Sequence, residues 1–387
     1  MPTWYFEKDC SLDAFKASIS KTKSEASRPA LAAEISHDIP IYDATSLNSE
    51  ITKEDYRSKL MQEWSLVMKE GAGIVVIRNC FPDPDLIDEV SAAYSEIAGK
   101  ERASGGEQAD HFGAAGANER IWNAQEKLCR HDAELFVRYY SNVLVALICE
   151  TWLGPNYQMT SQTNLVGPGS NGQMGHRDYH LGFQTPEEAS YYPATAHHFS
   201  QFLTLQGAVA HCDMSVESGP TRYLPFSQTY GPGYIGCNLA EFKSYFEESY
   251  VQVPLSKGDA VFFNPAVMHG AGENTTRDVR RLANLLQISS AMGRSIETVD
   301  RQHMCELVYP HLLSRWQRRD MSEENVVATV AACAEGYPFP TNLDLDPPVG
   351  GLVPKSQADI MLAALERGLK HESFIRELSE HSQRRVS

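Results

Sequence analysis

The sequence lacks any long apolar run. None of its 387 residues lies in a stretch that approaches the roughly 20 apolar residues needed to cross a bilayer. The N-terminal residues, MPTWYFEKD, lack the charged-then-apolar order of a secretory signal, and the C-terminal residues, RRVS, do not form a Ser-Lys-Leu peroxisomal address. We therefore expect a cytoplasmic protein with no membrane partner.

Paired cysteines and excess positive charge are also missing. The eight cysteines form no CxxC pair, so we expect reduced thiols rather than a disulfide framework or a zinc site. Asp and Glu number 50 against 34 Lys and Arg, which gives a net charge of −16. A groove for nucleic acid needs an excess of Lys and Arg, so this balance argues against a nucleic-acid partner and favours a small-molecule one.

The most informative pattern is a His-x-Asp pair, His176 and Asp178, followed much later by His269. If the pair lies on a strand, both side chains point to one face, because strand side chains alternate with period two. Two imidazoles and one carboxylate leave coordination positions open, which a non-haem Fe(II) oxygenase needs. We therefore predict that His176, Asp178 and His269 are the metal ligands and the catalytic centre.

A second His-x-Asp pair, His211 and Asp213, is a rival for the same role. It lies 58 residues before His269, a spacing that other oxygenases use, so the pattern alone leaves the choice between the two pairs open. The adjacent His197 and His198 raise the separate possibility of a second metal site, although aromatic residues in a loop more commonly cover a core.

In combination, four blocks of sequence resemble the phytanoyl-CoA dioxygenase-like branch of Fe(II)/2-oxoglutarate oxygenases. They are His176 with Asp178, the segment ESGPTRYLPFSQ at 217–228, HGAGEN at 269–274, and Arg280. Phe226 and Gln228 depart from the usual Gly and His of the second block, and Ala271 replaces a common Ser. The likeness spans roughly residues 56 to 290. Its register implies that His176 and Asp178 are the metal pair, and we interpret His211 as a strand-end histidine with a hydrogen-bond partner.

This resemblance implies Fe(II) as the metal, 2-oxoglutarate as the co-substrate, and O₂. The far carboxylate of 2-oxoglutarate would pair with Arg280, whose planar guanidinium grips a carboxylate through two hydrogen bonds. The adjacent Arg281 would face away and form a surface or structural ion pair. Further contacts to the co-substrate are predicted at Gln173, Gln206 and Thr221. Substrate contacts are predicted at Tyr179, His180, Phe183 and Arg222.

The chain divides by pattern into three parts. Residues 1–50 are polar with little periodicity and predict an N-terminal extension that wraps the domain or is partly disordered. Residues 51–295 predict an oxygenase domain whose short strands, broken by Gly, Pro, Asn and Asp, are typical of a double-stranded β-helix, or jelly roll. Residues 296–387 return to helical periodicity. We therefore expect a mainly β, cupin-like jelly roll with flanking N- and C-terminal helices.

The function predicted from these features is oxidation of a small lipophilic metabolite, most simply by hydroxylation, with conversion of 2-oxoglutarate to succinate. Such a reaction would belong to a biosynthetic pathway, such as that of a natural product, or to a catabolic one. A non-catalytic binding protein and a metal-dependent jelly-roll protein that does not use 2-oxoglutarate are the alternatives. The sequence leaves the substrate and the oligomeric state open.

Overall fold

Two β-sheets face each other across the centre of the protein. The structure is a computed structural model that describes residues 2–104 and 118–387. The larger sheet has the strand order β1-β2-β3-β9-β6-β11-β5-β4, and the smaller has the order β10-β7-β8. The strands of the larger sheet are β1 (Glu34–Ser36), β2 (Ile39–Asp43), β3 (Ile74–Arg78), β4 (Asn118–Ile121), β5 (Gln158–Val166), β6 (Thr204–Ala210), β9 (Ala260–Phe263) and β11 (Arg281–Ser289). Those of the smaller sheet are β7 (Arg222–Leu224), β8 (Val251–Gln252) and β10 (Met268–Gly270).

Helices cover the outer side of the larger sheet and extend both ends of the chain. They are α1 (Leu12–Glu25), α2 (Ala44–Glu50), α3 (Glu54–Glu70), α4 (Pro84–Ala103), α5 (Ala124–His131), α6 (Ala133–Tyr140), α7 (Val143–Leu153), α8 (Pro186–Ala189), α9 (Ala194–Ser200), α10 (Gly233–Gly236), α11 (Ala240–Ser249), α12 (Arg301–Arg318), α13 (Glu323–Cys333), α14 (Gln357–Glu366) and α15 (His371–Arg385). None of the helices described combines the length and the apolar character needed to cross a membrane.

Side chains alternate between the two faces of the larger sheet, and each face packs against a different apolar cluster. On β11, Leu286 and Ile288 belong to a large apolar cluster shared with the helices. The alternate residues of the same strand, among them Ala283 and Leu285, face the smaller sheet. The sheet is therefore buried on both sides, and the space between the two sheets is left for a cavity.

The predicted jelly-roll core is confirmed, but the expectation of a mainly β chain is only partly met. More residues lie in helices than in strands, because the apolar outer face of the sheet needs a helical cover. The predicted segment boundaries at residues 50 and 295 stay predictions. Within the first 50 residues, β2 pairs in parallel with β3 and so contributes to the main sheet.

Two departures from the family pattern have local physical explanations. Phe226, which stands where Gly is usual, has a φ of 68°, the left-handed conformation that glycine adopts without steric cost. Gln228, which replaces His, donates from Nε2 to the carbonyl of Gly71 at 2.9 Å and so ties the turn to the end of α3.

Candidate active site

His176 and His269 face each other at the edge of the cavity. Their backbones exchange two hydrogen bonds of 2.9 Å in an isolated antiparallel bridge. The predicted strand for His176 and Asp178 is thus an extended segment with one bridge. Asp178 continues it, with its N–H donating to the carbonyl of Pro265 at 3.0 Å. The extended backbone still places His176 and Asp178 on the same side, as the spacing predicts.

The three side chains form a compact group whose potential ligand atoms all lie within 4.8 Å of one another. Nε2 of His176 is 3.4 Å from Oδ1 of Asp178, and Nε2 of His269 is 3.5 Å from Oδ2. Burial alone would raise the pKa of Asp178, but the two neighbouring imidazoles hold that pKa well below its ordinary value. The group is the one cluster of metal-binding residues found within residues 2–104 and 118–387.

Backbone hydrogen bonds fix both imidazoles in the form that a metal requires. Nδ1 of His176 lies 2.8 Å from the carbonyl of Met174, and Nδ1 of His269 lies 2.8 Å from that of Val267. A carbonyl only accepts, so each Nδ1 carries a proton, and Nε2 is the ring nitrogen that is left to bind a metal once it has released its own proton. The donor set of two neutral imidazoles and one carboxylate fits Fe(II) and leaves positions open for other ligands.

The group opens into a cavity of about 200 Å³ between the two sheets. Its lining is mainly apolar, and the amide side chains of Gln206 and Gln287 lie beside Asp178. Residues that the sequence prediction did not assign to the cavity make up much of its lining, notably Arg120, Trp122, Gln162, Asn164, Tyr223, Phe263, Arg281 and Gln287. Most of them lie at alternate positions on strands, so a period-two count along each strand could have found them.

The prediction that Arg280 faces the cavity is wrong. Arg280 pairs at 3.2 Å with Glu119, and its side chain is 61% exposed. Arg281 is 6% exposed and lines the cavity, together with Ala283, Leu285 and Gln287 of the same strand. Since alternate strand residues face opposite sides, a one-residue error in the assumed spacing after His269 exchanges the two arginines.

Arg281 is a buried cation whose Nη1 has no hydrogen-bond partner among the described residues. Burial lowers its pKa to about 10, so it stays charged at neutral pH. No described carboxylate lies within ion-pair distance of it. Beside it lies Tyr223, the residue directly opposite His269 on β7. Its buried hydroxyl has Thr221 as a polar neighbour but makes no hydrogen bond of good geometry with the residues described.

The other three residues predicted to bind the co-substrate all line the cavity, but they differ in whether their side chains are free to bind it. Gln173 lines the cavity and its Oε1 accepts from the N–H of Ala271 at 3.2 Å. Thr221 also lines it, one residue before β7 rather than on a strand. Gln206 donates from Nε2 to Oδ2 of Asp178 at 2.7 Å and lies 3.5 Å from Oε1 of Gln287. Gln206 therefore has no free N–H for a co-substrate carboxylate, which corrects the role predicted for it.

Only two of the four residues predicted to contact the substrate line the cavity. Tyr179 and Phe183 line the cavity, whereas His180 and Arg222 do not. Arg222 points to the other side of β7, where it pairs with Glu247 at 2.5 Å, because Tyr223 takes the inward position. His180 faces Thr204 at 3.5 Å.

Tyr179 and His180 both have positive φ, 67° and 45°. This conformation is costly for residues with a Cβ and occurs often at functional sites. It turns Tyr179 inward directly after Asp178, where its hydroxyl donates to Oε1 of Gln287.

The rival pair does not form a site. His211 is buried and lies 2.8 Å from the hydroxyl of Ser91 and 2.9 Å from that of Tyr139, whereas Asp213 accepts from the backbone of Lys257. His197 and His198 likewise have separate partners, the carbonyl of Ala189 and the hydroxyl of Tyr5.

The buried His211 predicts a measurable dependence of stability on pH. Burial lowers its pKa to about 3, so below about 6.5 the unfolded chain binds a proton that the folded chain does not. Its contribution to stability is present above pH 6.5 and is lost as the pH falls. We expect His211→Gln to reduce the loss in unfolding free energy between about pH 7 and pH 5 by about 2 kcal/mol. Urea unfolding at the two pH values measures this difference, and an unchanged loss would contradict it.

Comparison with known proteins places the chain in a family. The model of the family described as phytanoyl-CoA dioxygenase (PhyH) matches residues 70–282, more than half of the chain. A curated relative, "Dioxygenase trt7" of Aspergillus terreus, is 23% identical over 229 residues, which cover 55% of this chain and 68% of that protein.

Solved structures with partial likeness include two from nogalamycin biosynthesis. The alpha-ketoglutarate-dependent epimerase SnoN is 18% identical, with a TM-score of 0.40 over 60% of this chain and 84% of that one. The carbocyclase SnoK is 21% identical, with a TM-score of 0.42 over 57% and 80%. The match to the family model and the His-Asp-His group agree. The chain belongs to the phytanoyl-CoA dioxygenase (PhyH) family and is an oxygenase that uses iron and 2-oxoglutarate.

Proposed function

We propose that His176, Asp178 and His269 hold Fe(II), that Arg281 anchors 2-oxoglutarate, and that the enzyme hydroxylates a small, largely apolar metabolite. One observation carries this assignment: a buried arginine, whose Nη1 has no partner among the described residues, shares a cavity with a three-residue metal group. A buried cation is costly unless a counter-charge is supplied. A dicarboxylate that reaches from the metal to Arg281 would supply it.

The iron, when bound, supplies the activation of O₂ that is coupled to the loss of CO₂ from 2-oxoglutarate. The protein's own residues bind the metal and position the co-substrate. The two imidazoles present Nε2, Asp178 supplies the single negative ligand, and Gln206 holds the second oxygen of that carboxylate. Arg281 fixes the far end of the co-substrate. The apolar walls formed by Val253, Leu255 and Val261 exclude water around it.

Isotope labelling tests whether the reaction is a hydroxylation. The iron-loaded enzyme is incubated with 2-oxoglutarate, labelled O₂ and a library of apolar metabolites, and the products are analysed by mass spectrometry. We expect one labelled oxygen atom in the product and one in succinate, formed in equal amounts. Formation of succinate together with an unlabelled, dehydrogenated product would show that the enzyme desaturates its substrate and does not hydroxylate it.

Tyr223 is proposed as the second residue that binds the far carboxylate. Its buried, unpartnered hydroxyl lies beside Arg281, and Ala271 offers no hydroxyl of its own. A hydrogen bond to a charged group contributes about 1.5–3 kcal/mol. We therefore expect Tyr223→Phe to weaken 2-oxoglutarate binding by about ten-fold or more, as measured by calorimetry without O₂.

Tyr234→Phe is the matched control for this variant. Tyr234 is also buried, with a hydroxyl that has no partner in the described part of the chain, but it does not line the cavity. Its replacement should leave 2-oxoglutarate affinity unchanged. Equal effects of the two substitutions would remove Tyr223 from the binding site.

A further inference from the structure

The amide of Gln206 lies beside the metal group in the wall of the cavity. Gln206 is 4% exposed and is the cross-strand partner of Gln287. Its contact with Oδ2 of Asp178, at 2.7 Å, fixes which amide atom is which, because a carboxylate accepts hydrogen bonds and only the NH₂ group can donate one. The carbonyl oxygen, Oε1, therefore points away from Asp178.

Oε1 of Gln206 is a buried acceptor without a partner among the described residues. Gln206 lines the cavity. Asn164, 8% exposed and on the same cavity wall, has a second such acceptor at Oδ1. Buried polar atoms in native proteins are nearly always hydrogen-bonded, so two unmet acceptors in one cavity indicate a ligand that donates.

The co-substrate cannot be that ligand. At neutral pH 2-oxoglutarate carries two carboxylates and a ketone, which only accept hydrogen bonds. The unpartnered groups that suit it, Nη1 of Arg281 and the hydroxyl of Tyr223, are a separate set within the same cavity. The unmet amide oxygens are therefore left for the substrate.

We propose that the substrate is an apolar skeleton that carries a hydroxyl group, and that Oε1 of Gln206 accepts a hydrogen bond from this hydroxyl beside Asp178. The apolar side chains of Phe183, Met214 and Ile296 in the cavity lining suit the skeleton. No described side chain in that lining except Asp178 carries negative charge, so a neutral donor fits better than an ammonium. This inference rests on the proposed function, since it treats the cavity as a substrate site.

The test compares ring alcohols with the ketones of the same ring. The probes are cyclohexanol with cyclohexanone and cyclooctanol with cyclooctanone. Their dissociation constants are measured by ligand-observed NMR on the full chain loaded with Zn(II), which blocks turnover, with and without 2-oxoglutarate. One hydrogen bond to a neutral acceptor corresponds to a preference of about three- to ten-fold for the alcohol.

Gln206→Met should abolish this preference, because methionine keeps the length of the side chain and loses the acceptor. Gln158→Met is the matched control. Gln158 donates to the carbonyls of Ser290 and Gly293 and does not line the cavity, so its variant should keep the preference. If the Gln206 variant fails to fold, the comparison of alcohol and ketone binding by the unaltered protein still tests whether the cavity prefers a hydroxyl donor.

Equal binding of alcohol and ketone by the unaltered protein would overturn the proposal. So would the absence of alcohol binding, or a preference that persists in Gln206→Met. Failure of 2-oxoglutarate to bind would instead contradict the proposed function, because the alcohol preference is measured separately without it.

Discussion

Replacing Arg281 with Ala is expected to raise the concentration of 2-oxoglutarate required for half-maximal activity by about thirty-fold to a few thousand-fold. Removing one partner of a buried, charge-assisted pair costs about 2–5 kcal/mol, which corresponds to this range. Fe(II) affinity should hardly change, because Arg281 is not one of the clustered metal-binding residues. Steady-state kinetics and metal titration measure the two quantities.

Arg280→Ala is the adjacent control. Its side chain is 61% exposed and pairs with Glu119 on the surface, where an ion pair contributes little. Its loss should leave the 2-oxoglutarate requirement unchanged. Arg281→Lys should fall between the unaltered protein and Arg281→Ala, since an ammonium cannot grip a carboxylate with two parallel hydrogen bonds. A larger effect of Arg280→Ala than of Arg281→Ala would contradict the register of β11.

Asp178→Ala is expected to abolish turnover and to weaken Fe(II) binding by more than about 100-fold. Changes to residues that merely support metal ligands typically cost about 10–100-fold in affinity, and Asp178 is the only carboxylate in the group. The fold should persist, because Asp178 lies outside the apolar clusters that form the core. Competition with an iron chelator in the absence of O₂ measures the affinity, and circular dichroism checks the fold.

Asp213→Ala is the matched control, since Asp213 ends the second His-x-Asp pair. Its Oδ1 accepts from the backbone of Lys257 at 2.9 Å, and His211 is engaged elsewhere. Iron binding and turnover should survive this substitution. Retained activity in Asp178→Ala, with loss in Asp213→Ala, would transfer the metal site to the rival pair.

The metal group could be predicted from sequence because its signal is local. The spacing of His176 and Asp178 requires only an extended backbone, and the surrounding blocks selected this pair over His211 and Asp213. The structure shows that a regular strand is unnecessary: two hydrogen bonds to His269 and one to Pro265 hold the segment straight.

The co-substrate anchor could not be assigned because it depends on an exact register. The loop between His269 and β11 has no periodicity that fixes its length, and a shift of one residue reverses which arginine faces inward. The pairing of Arg281 with Val166 settles the register. The orientation of Arg222 also depends on strand register, because Tyr223 takes the inward position on β7. The contact between Gln206 and Asp178 joins two distant parts of the sequence, so no local pattern could predict it.

The most direct test of the account is calorimetric titration of 2-oxoglutarate, without O₂, into the protein with and without Fe(II). The cavity joins a metal group and a buried arginine whose Nη1 no described residue satisfies, and 2-oxoglutarate should need both. We predict tight binding to the Fe(II)-loaded protein and markedly weaker binding to the metal-free protein, with Arg281→Ala weak in both states. Binding that is equally tight without metal, or no binding with Fe(II) present, would contradict it.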